Sequence, residues 1–242
     1  MYKWGIIGGG NIAKRFIKSL ENSDRGILYA IGSLTKGKEL KEKYEDIVIY
    51  SSYIELLKDP NIDIVYIANR HKDHYLWSMK ALESGKNVLC EKPATLSKEK
   101  MIKIKEASIE NKKFFMEGIK TRFIPLVIEL KKRIDNGEFG EILEIENSYC
   151  YNFGGYDKNS YLFDKDQGGV FNDLGSYSIA MCQDLIKEEL FKVDSKIEYY
   201  KGIDSFNDLV LSYKNGKKSH LKMALDRDEK RIGIIKCEKA II

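Results

Sequence analysis

The sequence predicts an α/β fold in which an N-terminal doubly wound parallel sheet is followed by an α+β domain with a mainly antiparallel sheet. Three observations carry this. Apolar strand-like runs alternate with helical patterns through the first half, as parallel strands joined by crossover helices require. A glycine turn, Gly8-Gly9-Gly10, separates the first apolar run from the first amphipathic pattern. Beyond residue 120 the strand-like segments follow one another, with a hairpin signal at Asn215-Gly216. The expected domains are therefore 1–120 and 121–242.

Each element has a local reason. Lys3–Ile7 is apolar enough to be buried on both faces, and Gly8 permits a tight turn after it. A helix over Asn11–Leu20 places Ile12, Phe16, Ile17 and Leu20 on one face, and Ala13 leaves room for close packing on the strand. Further strands are expected at Ile27–Ile31, Ile47–Tyr50, Ile62–Ala68, Asn87–Cys90 and Phe114–Ile119. Between them, a helix at Tyr75–Ser84 ends at Gly85 and one at Lys98–Asn111 is capped by Ser97. The second half reads as a helix at Ile124–Asn136, a strand at Glu141–Tyr151 and a loop rich in glycine and aromatics to Gly169. A helix at Val170–Ile186 follows, then strands at Lys192–Tyr200, Asp208–Tyr213, Lys217–Ala224 and Arg231–Cys237. A last strand is expected over Cys237–Ile242.

Composition removes several function classes. The chain has 242 residues, 43% hydrophobic and 32% charged, and 41 basic against 37 acidic residues give a net charge of only +4. That is a mixed, solvated surface and not a nucleic-acid footprint. No apolar run reaches the roughly 18 residues of a membrane span. The N-terminus enters a strand at once, which leaves no signal peptide to expect. Cys90, Cys150, Cys182 and Cys237 form no C-x-x-C pair, so reduced thiols and a cytoplasmic location are expected, with no metal site.

Two stretches carry the chemistry. A glycine turn between strand and helix seats a dinucleotide pyrophosphate, which makes Gly8, Gly10, Asn11 and Ile12 candidate cofactor contacts. Glu91-Lys92-Pro93 follows another buried strand, at the edge where open parallel sheets hold ligands. Asp173 and Tyr177, spaced i, i+4, share one helix face. Hydride transfer needs a group to handle the hydroxyl proton and a cation to stabilise a developing alkoxide. Tyr177 is read as the acid/base, Lys92 as the group polarising the substrate oxygen, and Asp173 as the orienter of the pair. A variant stays open in which Lys92 transfers the proton and Tyr177 only donates a hydrogen bond. Blander readings are a surface lysine in a turn, a helix-bracing aspartate and a buried structural tyrosine. The segment after the second strand, Ser33-Leu34-Thr35-Lys36-Gly37-Lys38, offers no carboxylate before Glu39. Its hydroxyls, Ser33 among them, with Lys36 and Lys38, then suit a 2′-phosphate, so NADP is favoured over NAD.

These residues together resemble the Gfo/Idh/MocA oxidoreductases. The resemblance rests on Gly8-x-Gly10-x-x-Ala13, the strand Asp63–Ala68, the stretch Ala81–Val88, Glu91-Lys92-Pro93, and the block Gly168–Tyr177. Within that family the segment Phe115–Pro125, and tyrosine instead of histidine at Tyr177, resemble the dihydrodiol dehydrogenase branch. The resemblance implies a Rossmann nucleotide domain (1–120) and a substrate-binding and oligomerisation domain (121–242). It also implies hydride transfer between nicotinamide and a CH–OH carbon of a sugar, polyol or dihydrodiol-like small molecule. Asn69, His71, His74, Glu91 and Lys92 are then further cofactor contacts, and Lys92, Arg122, Asp173 and Tyr177 meet substrate, although Arg122 alone also reads as one half of a surface or interdomain ion pair. Arg70, Lys120 and Leu34 depart from the family pattern. Members continue well past the equivalent of Ile242, so the second domain is expected to be shortened, and with it the sheet through which a homo-oligomer would form. A non-catalytic dinucleotide-binding regulator is the competing expectation.

Overall fold

The computed structural model describes residues 1–44, 46–153 and 160–242. It divides into two compact units, Met1–Gly118 and Ile119–Ile242. The first carries six strands: β1 (Tyr2–Ile7), β2 (Gly26–Gly32), β3 (Val48–Tyr50), β4 (Ile64–Ile67), β5 (Asn87–Cys90) and β6 (Phe115–Glu117). They pair in the order β3-β2-β1-β4-β5-β6, and every pair is parallel. The intervening helices are α1 (Asn11–Leu20), α2 (Gly37–Lys43), α3 (Tyr53–Lys58), α4 (His71–Glu83) and α5 (Lys98–Glu110).

Strand alternation explains why both faces of this sheet are dry. Ile6, Ile31 and Tyr66 pack with Ala13, Ile17 and Leu40 of α1 and α2. Ile7, Val65, Ile67 and Val88 pack with Leu56, Leu57, Leu82 and Ile104 of α3, α4 and α5. Complete burial of such an aliphatic side chain stabilises the fold by about 1.5–3 kcal/mol. Strand order reverses between β1 and β4, so the carboxyl ends of these strands open the crevice where such sheets bind ligands. The strands expected in this unit are all present; α2 and α3, each under two full turns, are additions that periodicity does not reveal.

The second unit opens with a 3-10 turn (Lys120–Phe123) and α6 (Pro125–Asp135), with proline in the first turn, where its missing N–H has no partner to lose. Strand β7 (Ile142–Cys150) follows. A π-helical turn (Phe171–Gly175) then runs into α7 (Ser176–Ile186), and four strands complete the unit: β8 (Leu190–Tyr200), β9 (Ile203–Tyr213), β10 (Lys218–Ala224) and β11 (Ile232–Cys237). The sheet order is β11-β7-β10-β9-β8. Its pairs are antiparallel except the parallel pair β7–β10. Its inner face, with Ile145, Leu209, Leu211, Leu221 and Met223, packs on Cys182 and Ile186 of α7 and on Leu130 and Ile134 of α6. Gly216, at φ +84°, makes the expected turn between β9 and β10.

One expected strand is absent. The chain turns after β11 instead of continuing extended over 237–242: Cys237 N–H donates to Ala240 at 2.8 Å, and Ile242 exchanges hydrogen bonds with Ile235. Glu238 and Lys239 are diverted because their amides donate to the carbonyls of Glu141 and Phe139, just before β7.

Candidate functional site

In the first unit the turn after β1 is built around two different glycines. Gly8 has φ +108°, and a Cβ there would lie 2.7 Å from the Ala68 carbonyl oxygen, so β4 approaches too closely for any side chain. Gly10 begins α1, and a Cβ on it would meet nothing within 4 Å. No side chain caps α1 and no acidic residue occupies its first turn. An uncapped helix start leaves its first amides available to an anion, and this first turn includes Asn11 and Ile12. Ala13, 1% exposed, packs the helix against the sheet.

Beside this turn stands the end of β2. Ser33 is buried, and its Oγ accepts the Lys36 N–H at 3.1 Å. The notional Gly9 Cβ lies 3.4 Å from Ser33 Oγ and 3.8 Å from Lys36 Cδ, so the stem of Lys36 passes beside the glycine turn; Lys36 and Lys38 are both exposed. Glu39, the first carboxylate after β2, is held by Lys14 of α1 at 3.1 Å, and the Lys14 ammonium keeps its carboxyl below the usual range.

The ends of β4 and β5 are tied together. His74 of α4 is fully buried, and its Nδ1–H donates to the Pro93 carbonyl at 2.8 Å while Nε2 lies 3.3 Å from the Asn69 carbonyl. Burial holds its pKa below that of an ordinary histidine. The buried ring of His71 sits 5.6 Å from it, centroid to centroid. Glu91 accepts the Tyr66 hydroxyl at 2.6 Å through Oε1 and the Lys92 N–H at 3.3 Å through Oε2. The Lys92-Pro93 peptide is cis. Beyond it, Ala94 N–H donates to Glu117 Oε1 at 2.7 Å, and Gly118 N–H to the Cys90 carbonyl at 2.7 Å. The turn carrying Lys92 is thereby gripped from β4, α4 and β6.

In the second unit, Asp173 lies in the π turn and Tyr177 in the first turn of α7, both half-buried. Gly169, at φ +96°, precedes the π turn and its carbonyl accepts the Asp173 N–H at 3.2 Å. Lys120 Nζ stands 5.8 Å from the Tyr177 ring centroid. Arg122 takes the ion-pair alternative: its guanidinium clasps Asp184 of α7 in two bonds of 2.7 and 3.0 Å. Among the described residues, no three His, Cys, Asp or Glu side chains gather as metal ligands.

Two family models match this chain. One, the oxidoreductase family with an NAD-binding Rossmann fold, covers residues 2–119, and the GFO/IDH/MocA C-terminal domain covers residues 127–240. The chain belongs to the Gfo/Idh/MocA oxidoreductase family. It is 31% identical to the D-xylose 1-dehydrogenase (NADP(+)) of Hypocrea jecorina, over 87% of this chain and 62% of that protein. It is 29% identical to the trans-1,2-dihydrobenzene-1,2-diol dehydrogenase of Bos taurus, over 88% of this chain and 65% of that protein. The chain thus spans less than two thirds of the length of these relatives. The fold is shared with the scyllo-inositol dehydrogenase of Lactobacillus casei, at TM-score 0.89 and 19% identity, covering 100% of this chain and 75% of that one.

The family's dinucleotide fits the residues present. Gly10 leaves open space at an uncapped helix start. Among the described residues, the buried Asn69 Oδ1 has no hydrogen-bond partner, an acceptor left over at the crevice. Sequence reading missed Tyr66 and Glu117. A tyrosine inside the apolar run Ile64–Ile67 signals a buried hydroxyl that must find a partner. A glutamate ending β6 lies on the same carboxyl edge as Lys92.

Proposed function

We propose that this Gfo/Idh/MocA member is an NAD(P)-dependent dehydrogenase or reductase that moves a hydride between nicotinamide and a CH–OH carbon of a sugar, polyol or dihydrodiol-like substrate. The observation that carries the reading is the fixed turn at Lys92: Glu91, Glu117 and His74 lock its backbone at the ligand edge of the sheet. Preorganised cations in such a place stabilise charge that develops during reaction. Gly8, Gly10, Asn11 and Ile12 would cradle the pyrophosphate, with Asn69, His71, His74 and Glu91 lining the nucleotide's path. Ser33, Lys36 and Lys38 would take a 2′-phosphate, which favours NADP, and the Lys14–Glu39 pair supports this by occupying the nearest carboxylate. Bound there, the dinucleotide supplies the carbon that accepts or gives the hydride.

The chain's own residues do the rest. Lys92 donates a hydrogen bond to the substrate oxygen and stabilises its developing negative charge. Tyr177 accepts the hydroxyl proton in oxidation and returns it in reduction, and Asp173 orients Tyr177 and the substrate. Arg122 serves this site by anchoring α7 through Asp184. The same reading places the protein in the cytoplasm, in keeping with its four buried free cysteines. It also assigns self-association to the second unit's sheet, whose strand β8 exposes Phe191, Val193 and Tyr199.

The test is turnover of D-xylose and trans-1,2-dihydrobenzene-1,2-diol with NADP+ or NAD+ by the wild type, Lys92→Ala and Tyr177→Phe. A proton-transfer role predicts a kcat loss of roughly 100-fold or more in Tyr177→Phe, with an unchanged thermal shift on adding NADPH. Near-normal turnover in that variant would move the proton role to Lys92. Absence of any cofactor shift in the wild type would sink the oxidoreductase reading.

A further inference from the structure

We propose that Asp204, at the start of β9, is the positioning residue for the helix that carries Asp173 and Tyr177. This rests on the reading of those two residues as orienter and proton-handling group. The helix begins at Phe171, whose N–H donates to Asp204 Oδ2 at 2.8 Å. Asn207, 1% exposed, donates its side-chain amide to the same oxygen at 2.5 Å and so fixes the carboxylate from the strand side. The other oxygen is fixed by shape. A Cβ on Gly169 would lie 1.8 Å from Asp204 Oδ1, so this oxygen fills the room that only glycine leaves. Gly169 also needs its φ of +96°, which L side chains rarely adopt.

The remaining contacts lock the same corner. A Cβ on Gly168 would lie 2.2 Å from the Leu162 carbonyl oxygen and 2.8 Å from that of Asp164, so the incoming loop also presses on glycine. Asn172 donates its side-chain amide to the Gly168 carbonyl at 2.8 Å. A carboxylate at a helix start is favoured by the amide dipoles pointing at it, and here it comes from a strand some thirty residues further along the chain. Asp173 lies two residues beyond the anchored amide and Tyr177 six, on one continuous helical stretch. A shift of the helix start therefore moves both side chains together. Displacing a catalytic group by about 1 Å lowers rates by roughly 100-fold.

The test compares the full chain with Asp204→Ala and Asp204→Asn, with Tyr177→Phe as reference. Hydrogen exchange is followed over 169–177 and over the first unit, and steady-state kinetics use NADP+ with D-xylose or the dihydrodiol. Asp204→Ala should speed amide exchange in 169–177 by roughly 10-fold or more and leave the first unit unchanged. It should also lower kcat by roughly 100-fold with KM for NADP+ nearly constant. Asp204→Asn keeps an acceptor oxygen and should recover most of both losses. Wild-type exchange and kcat in Asp204→Ala overturn the proposal. Equal damage in both variants with a lowered melting temperature also overturns it, because that is a folding role and not positioning. Equal turnover by wild type and Tyr177→Phe instead defeats the reading of Tyr177, while the exchange data still decide whether Asp204 fixes the helix.

Discussion

Two glycine turns in this chain precede a helix, and they use the missing side chain in opposite ways. At Gly8-Gly9-Gly10, the first glycine is pressed by the Ala68 backbone and the last faces open space. At Gly168-Gly169, both are filled by the protein: carbonyls of Leu162 and Asp164 against one, the Asp204 carboxylate against the other. The helix start α1 has no side-chain cap, whereas the π turn receives the Asp204 carboxylate. On the proposed reading, binding sits where the fold withholds its own carboxylate, and orientation sits where it supplies one.

Substitution at each turn tests this contrast. The largest effect is expected for Gly169→Ala, where a positive φ and the Asp204 oxygen both refuse a methyl group. Destabilisation of the second unit should reach about 3 kcal/mol, measured by denaturant titration. Gly10→Ala has room and should change stability by less than about 0.5 kcal/mol. It should nonetheless weaken NADPH binding roughly 10-fold or more by intruding on the anion's space, read by calorimetric titration. If Gly10→Ala binds normally, the two turns are not different in kind.

A third prediction concerns His74, which ties Asn69 to Pro93 in the first unit. Its folded-state pKa is depressed by burial, so below about pH 6.5 the unfolded chain binds a proton that the folded chain refuses. Stability from this residue is complete above pH 6.5 and declines as pH falls below it. Thermal melts of the wild type should show this slope, and His74→Asn should flatten it. The smallest effect is expected from Arg122→Ala. Its pair with Asp184 is partly exposed, so the loss should be about 1 kcal/mol or less, with kcat lowered more than KM if Arg122 acts by anchoring α7.

Much of the candidate site was legible because it is local. Gly8, Gly10 and Ala13 carry their meaning in one turn, and Glu91-Lys92-Pro93 carries its meaning at one strand end. Ser97 caps α5 as expected, accepting the Lys100 N–H. The misreadings involve partners distant in sequence. The segment after Cys237 has strand-like residues, yet the carbonyls of Phe139 and Glu141 turn it back. A helix over Val170–Ile186 is correct in kind, but its first turn is π-helical, which periodicity does not register. Lys36 and Lys38 look equivalent in sequence; only the packing of Lys36 along Gly9 separates them.

By itself, the sequence determined the order of most strands and of the longer helices, the alternation that buries both faces of the first sheet, the glycine turn and the lysine at the sheet's ligand edge. These follow from side-chain periodicity and backbone freedom, properties of consecutive residues. Only the tertiary structure decided that Tyr66 holds Glu91, that Lys14 occupies Glu39, that Arg122 clasps Asp184 and that Asp204 fills the space beside Gly169. Each depends on a charge or hydroxyl whose partner lies some 25 to 60 residues away, brought within hydrogen-bonding distance by packing that no short window of sequence contains.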